Sequence, residues 1–126
     1  MDKSDWQRII HIRTHCDDIE SFLNRFGRDF HTFEEDRAYF NAVSMCIFQI
    51  GELANGLSED FRQKTSREIP WRMIRGMRNV LAHSYGEIDE EVIWETANND
   101  IPLLKDFCYK LTSMEKEKHK SDRDER

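Results

Sequence analysis

Apolar residues recur in steps of three and four along most of this chain, the spacing that lines one face of a helix. Trp6, Ile9, Ile10, Cys16, Ile19, Leu23 and Phe26 form the first series. Ser4-x-x-Gln7 ahead of it has the form of a capping box, whose hydroxyl and amide satisfy first-turn backbone donors. Gly27 can adopt the left-handed conformation that ends a helix. The pattern predicts a helix over roughly 5–26. A second series, Phe40, Val43, Ile47, Ile50, Ala54 and Leu57, follows the box Thr32-x-x-Glu35 and meets a stop signal at Asn55-Gly56. It predicts one long helix over roughly 33–55, the spine of the fold.

Shorter elements follow. Ser58 is placed to cap a short helix that opens with Glu59 and Asp60, acids at the end where the helix dipole favours them. Pro70 suits the first position of the next helix, where its missing N–H would be unbonded anyway. Ile69, Trp71, Ile74, Met77 and Leu81 give that helix an apolar side, and Gly86 is its expected terminator. Asp89 caps a final helix carrying Val92, Ile93, Trp94, Ala97, Leu103, Leu104, Phe107 and Leu111. Pro102 should kink or interrupt it by deleting a backbone bond and crowding the preceding turn. No strand-like alternation or internal repeat stands out. Long helices joined by short connections favour antiparallel neighbours. The expected fold is all-α, an up-and-down bundle of four to five helices over residues 1–113. A charged tail, frayed or disordered, is expected over 114–126.

Composition sharpens this outline in three ways. A chain of 126 residues suits one domain with a real core. Eight Phe and three Trp exceed what one small bundle is expected to bury, so an apolar homodimer interface is expected. Charged residues make up 35% and the formal net charge is -6, a well-hydrated profile that would repel RNA unless positive charge is gathered locally. The acids and bases of residues 115–126 cancel, so the acidity lies in the domain itself. Cys16, Cys46 and Cys108 are odd in number and widely spaced, which argues against a disulfide framework or zinc ribbon and for a reducing cytoplasm. No apolar stretch is long enough to span a bilayer, so no membrane association is expected.

The candidate chemistry lies in Arg78-Asn79-Val80-Leu81-Ala82-His83-Ser84-Tyr85-Gly86. Arginine is always charged and clamps phosphate. Histidine both gives and takes protons near neutrality. The two suffice to cleave an RNA phosphodiester without a metal. On a continuous helix Arg78 and His83 are separated by about 140° and about 7.5 Å of rise. Either the helix ends near His83 and the side chain turns back, or a second subunit completes the cleft. The second option supplies two imidazoles, one as base and one as acid. Asn79 has an amide suited to orienting phosphate or the His83 ring. By itself, an Arg and a His near a helix end often do no more than stabilise the helix dipole.

The run closely resembles the Arg-x4-x6-His signature of the HEPN superfamily, in the Arg-x4-His-x-Tyr form of HepT-like toxins. The resemblance spans about residues 5–111. It includes Ile50-Gly51-Glu52-Leu53-Ala54, similar to a Gly-Glu-Ala segment of that family with Leu53 as a departure. Ile69-Pro70-Trp71 and Ile74-Arg75-Gly76-Met77-Arg78-Asn79 resemble the family's approach to the motif. Ile93-Trp94 and Asp100-Ile101-Pro102-x-Leu104 match its last helix. The resemblance implies a homodimeric HEPN bundle with a metal-independent endoribonuclease site at the dimer cleft, Arg78 and His83 being catalytic. It implies the toxin half of a type II toxin–antitoxin pair, with RNA as substrate and an MNT-type nucleotidyltransferase antitoxin as partner. It further implies that this partner adenylylates the motif tyrosine, here Tyr85. Added negative charge and bulk there would inhibit RNA binding.

Other constellations carry less. His11 and His15 stand at i,i+4 beside Cys16 and Asp17, a metal-ligand spacing, but no second pair of ligands stands out, so neither metal nor cofactor is expected. A mid-helix glycine costs about 1 kcal/mol against alanine, so Gly51 points to close approach of another helix. Glu52 has a further reading as an ion-pair brace for Arg78. Arg72 and Arg75 are either a solvated face or the local basic patch that RNA binding requires. The rival to the ribonuclease reading is a non-catalytic helical subunit that docks a nucleotidyltransferase and binds nucleotide.

Overall fold

The computed structural model describes residues 1–83 and 89–124, with side chains described as far as Glu115. Its elements are α1 (Lys3–Phe26), α2 (Phe30–Glu35), α3 (Arg37–Gly56), α4 (Glu59–Thr65), α5 (Trp71–His83), α6 (Glu90–Glu95), a π-turn (Thr96–Asp100) and α7 (Ile101–Asp124). Four long helices, α1, α3, α5 and α7, form the expected all-α bundle, and three short ones fill its corners. Side-chain contacts fix the directions. Tyr39 at the start of α3 donates to the Gly27 carbonyl after α1, while Ser58 beyond the end of α3 reaches Asp5 at the start of α1. Arg13 meets Thr112 and Glu20 meets Lys105, so α7 also runs against α1. Glu52 meets Arg78 and Asn55 meets Arg75, so α5 runs against α3. The topology is up, down, up, down.

The helix starts differ from those the sequence suggests. Asp2, not Ser4, caps α1, its carboxylate accepting from the Asp5 amide at 2.7 Å. The spine expected over 33–55 is two helices. Asp29 caps α2 through the Thr32 amide, and Asp36 breaks the chain and caps α3 by accepting from Ala38 and Tyr39. Ser58 and Asp89 cap α4 and α6 as expected. Gly27 ends α1 at φ 111, a conformation costly for any side chain. Pro102 does interrupt the last helix. The disturbance falls in the turn before it, as a π-turn in which Asn98 donates back to the Trp94 carbonyl. The terminator expected at Gly86 lies outside the described residues.

The core runs the length of the bundle through Ile9, Ile12, Ile19, Val43, Ile50 and Leu104, all nearly inaccessible. Phe33, Tyr39 and Trp94 build an aromatic cluster where α2, α3 and α6 meet, with ring centroids 5.1–6.2 Å apart. Phe33, Phe61 and Trp71 are buried within the single chain, and the other eight Phe and Trp side chains are half-buried. The three cysteines are free and buried. Burial pushes the Cys46 thiol up to about 11 and Cys108 up to about 12, and raises Cys16 further. One polar anchor sits in this interior. Asp5 accepts from the Ser58 amide at 2.8 Å and hydroxyl at 2.6 Å, and Ser58 in turn caps α4. No described helix is long and apolar enough to cross a membrane.

Candidate functional site

Helix α5 carries the motif, and its packing explains much of the motif's setting. Gly51 faces it from α3. A Cβ added at Gly51 would stand 2.8 Å from Arg78 Cβ and 3.1 Å from the Ile74 carbonyl oxygen. The mid-helix glycine is therefore the contact point of two helices, as its cost implied. This approach brings Glu52 to Arg78, where the carboxylate Oε1 receives the guanidinium Nε–H. Of the two readings given to Gly51-Glu52, both hold: the glycine permits the approach and the glutamate braces the arginine. One turn away, Arg75 Nε donates to Asn55 Oδ1 at 3.1 Å, a second strut between the same helices.

Helix α5 continues unbroken through His83, its last described residue. His83 and Asn79 are exposed, and Arg78 is half-buried. The helix does not end before His83, so the two side chains keep the separation of about 140° around the axis. One chain thus offers an anchored arginine and an imidazole open to solvent on well-separated faces of α5. Tyr85 lies outside the described residues.

Two surfaces flank the motif. A hollow of about 410 Å³ at the start of α5 is lined by Arg62, Arg72, Arg75, Trp71 and Glu59, among others. Arg62 is already engaged, bonding the carbonyls of Ala54, Asn55 and Leu57 at the end of α3. Arg72 is exposed. Positive charge is thus gathered along α5 in a chain that is acidic overall. Beside the other end of α5 is a more apolar hollow of about 400 Å³, lined by Asn41, Ser44, Met45, Phe48, Leu81 and Ala82. Met45 is 57% exposed, and Val80 on α5 is 43% exposed.

A family model described as ribonuclease HepT-like matches residues 12–111, from within α1 to the middle of α7. The chain belongs to the HepT-like ribonuclease family. Curated relatives agree with this HepT-like assignment. "Putative RNase MJ0125" of Methanocaldococcus jannaschii is 33% identical over 119 residues, covering 94% of this chain and 100% of its own. "Probable ribonuclease HepT" of Thermococcus cleftensis is 35% identical over 107 residues, covering 79% of this chain and 96% of its own. A third, "Putative RNase TTE0752" of Caldanaerobacter subterraneus subsp. tengcongensis, is 34% identical over 107 residues, 84% of this chain and 92% of its own. No solved structure matches the chain. At the level of the HepT-like family, the activity is that of a ribonuclease.

Proposed function

We propose that this chain is a metal-independent endoribonuclease, the toxin of a type II toxin–antitoxin pair, in which Arg78 and His83 carry the chemistry and Asn79 supports it. The observation that carries the reading is the setting of Arg78. It is braced by Glu52 across a glycine-tight helix crossing, on the same helix as an exposed His83 and two further arginines. A charged side chain held in place by a carboxylate on a neighbouring helix is pre-organised for an anion.

The reaction needs two proton transfers. One imidazole takes the 2′-hydroxyl proton as the 2′-oxygen attacks phosphorus. A second, protonated imidazole delivers a proton to the 5′-oxygen as the P–O5′ bond breaks, leaving a 2′,3′-cyclic phosphate. Each transfer contributes about 10²–10⁴-fold. A two-fold homodimer across the apolar hollow beside α5 brings a second His83 into one cleft. Met45 is the exposed apolar side chain of that hollow, which such a contact covers. Two Arg78 guanidinium groups then stabilise charge on the pentavalent phosphorus. Arg72 and Arg75 supply the local positive field for the RNA backbone.

The partner in this proposal is an MNT-type nucleotidyltransferase that transfers AMP from ATP to the Tyr85 hydroxyl. The phosphodiester adds negative charge two residues from His83, which opposes RNA binding. Intact mass after treatment with that partner and ATP should show AMP-sized additions on the wild type and none on Tyr85→Phe.

Expression with and without substitutions tests the central reading. Arg78→Ala and His83→Ala should each abolish growth arrest and RNA cleavage while leaving far-ultraviolet circular dichroism unchanged. Cleavage by the wild type should persist in EDTA and leave 2′,3′-cyclic or 3′-phosphate ends. A strict metal requirement, or 5′-phosphate ends, overturns the mechanism. Full toxicity without any cleaved RNA points instead to a binding subunit.

A further inference from the structure

Of the i,i+4 pair His11 and His15, the fold gathers further donor atoms only around His15 among the described residues. Asp18 follows His15 by three positions, so both leave α1 on one face. Cys46 comes from α3, which packs against α1. One donor atom from each of His15, Asp18 and Cys46 lies within 4.8 Å of the others. His15 Nδ1 stands 3.9 Å from Asp18 Oδ2. That nitrogen is buried and has no hydrogen-bond partner among the described residues. Buried side-chain nitrogens nearly always have one, so this orphan beside a carboxylate and a thiol calls for an explanation.

We propose that His15, Asp18 and Cys46 bind a zinc-class divalent cation that clamps α1 to α3. An imidazole nitrogen, a thiolate sulfur and a carboxylate oxygen form a mixed donor set that suits zinc, whereas magnesium and calcium take oxygen alone. Ligand bonds of about 2.0–2.3 Å put tetrahedral donors about 3.5 Å apart. The three donors need to close by about an ångström at the widest pair, within reach of side-chain torsions, and the Asp18 side chain is 50% exposed. The same exposure opens the fourth position to water. As the metal–sulfur bond forms, Cys46 releases its thiol proton to solvent, and thiolate and carboxylate balance the two positive charges. Cys46 precedes Glu52 by six positions, about 9 Å along α3 and about 240° around it. The cation therefore lies away from the RNA chemistry proposed above, and neither proposal depends on the other.

The test uses the full chain, stripped with a chelator and titrated with Co²⁺ and then Zn²⁺. One Co²⁺ should bind per chain and give a thiolate-to-cobalt charge-transfer band that Zn²⁺ bleaches, and Zn²⁺ should raise Tm. Cys46→Val keeps the apolar volume and should remove the band. Asp18→Asn, at the solvent side, should weaken cobalt binding at least about tenfold with the fold intact. Absence of the band in the wild type overturns the proposal, as does an unchanged band in Cys46→Val. Should Cys46→Val fail to fold, unchanged affinity in Asp18→Asn overturns it.

Discussion

Glu52 and Arg78 form a partly exposed pair, and such pairs stabilise a fold by only about 0–1 kcal/mol. The contribution of Glu52 is then orientation of the guanidinium. Glu52→Gln should leave Tm almost unchanged and lower kcat for RNA cleavage about tenfold, with KM little affected, because the loss falls on an interaction used in the transition state. Equal losses from Glu52→Gln in thermal stability and in KM, with kcat intact, would reduce the pair to a structural contact. At this scale the sequence is informative where chemistry is local. Arg78, Asn79 and His83 stand in one short run and are visible without a fold. The Arg78 partner was legible only as one option of two, since Glu52 sits on another helix. Cys46 as a neighbour of His15 was not legible at all. Nothing in the spacing of α1 says which residue of α3 will face it.

Helix starts show why element boundaries are harder to read than elements. Asp2, Ser4, Asp29, Thr32 and Asp36 are all competent caps by local chemistry. The choice among them is made by packing, as when Phe33 and Tyr39 close on Trp94 and the chain must bend at Asp36. Apolar periodicity, by contrast, located each of the four long helices because burial repeats the signal over many turns. The crossing of α3 and α5 gives a prediction at this scale. Gly51→Ala places a methyl group against Arg78 Cβ and backbone that has no flexible end to yield. The helices must separate, at a cost of about 1–3 kcal/mol. Chemical denaturation should show that loss, and RNA cleavage should fall as well because Glu52 moves away from Arg78. Unchanged stability would mean that the two helices part without resistance.

For the molecule as a whole, net acidity and local basicity coexist, and this sets how it should assemble and bind. Sedimentation at micromolar concentration should show a homodimer, and Met45→Lys on the apolar hollow should shift it to monomer and remove cleavage together. A wild-type monomer that still cleaves would rule out the shared cleft. Of the aromatic residues that suggest a dimer, Phe33, Phe61 and Trp71 are buried inside one chain, while Phe48 lines the apolar hollow beside α5. What remains for an interface is a smaller patch that no periodicity reveals. A different property follows from the burial of all three thiols. Cys16 belongs to α1, Cys46 to α3 and Cys108 to α7, so each long helix of one side of the bundle carries a single latent reporter. In the metal-free chain, with their ionisation suppressed, these sulfurs meet an alkylating reagent only when their helix leaves the core. The pace at which each is capped is a clock for opening. Three equal clocks would mean that the bundle comes apart in one step, and three unequal ones would name the helix that lets go first.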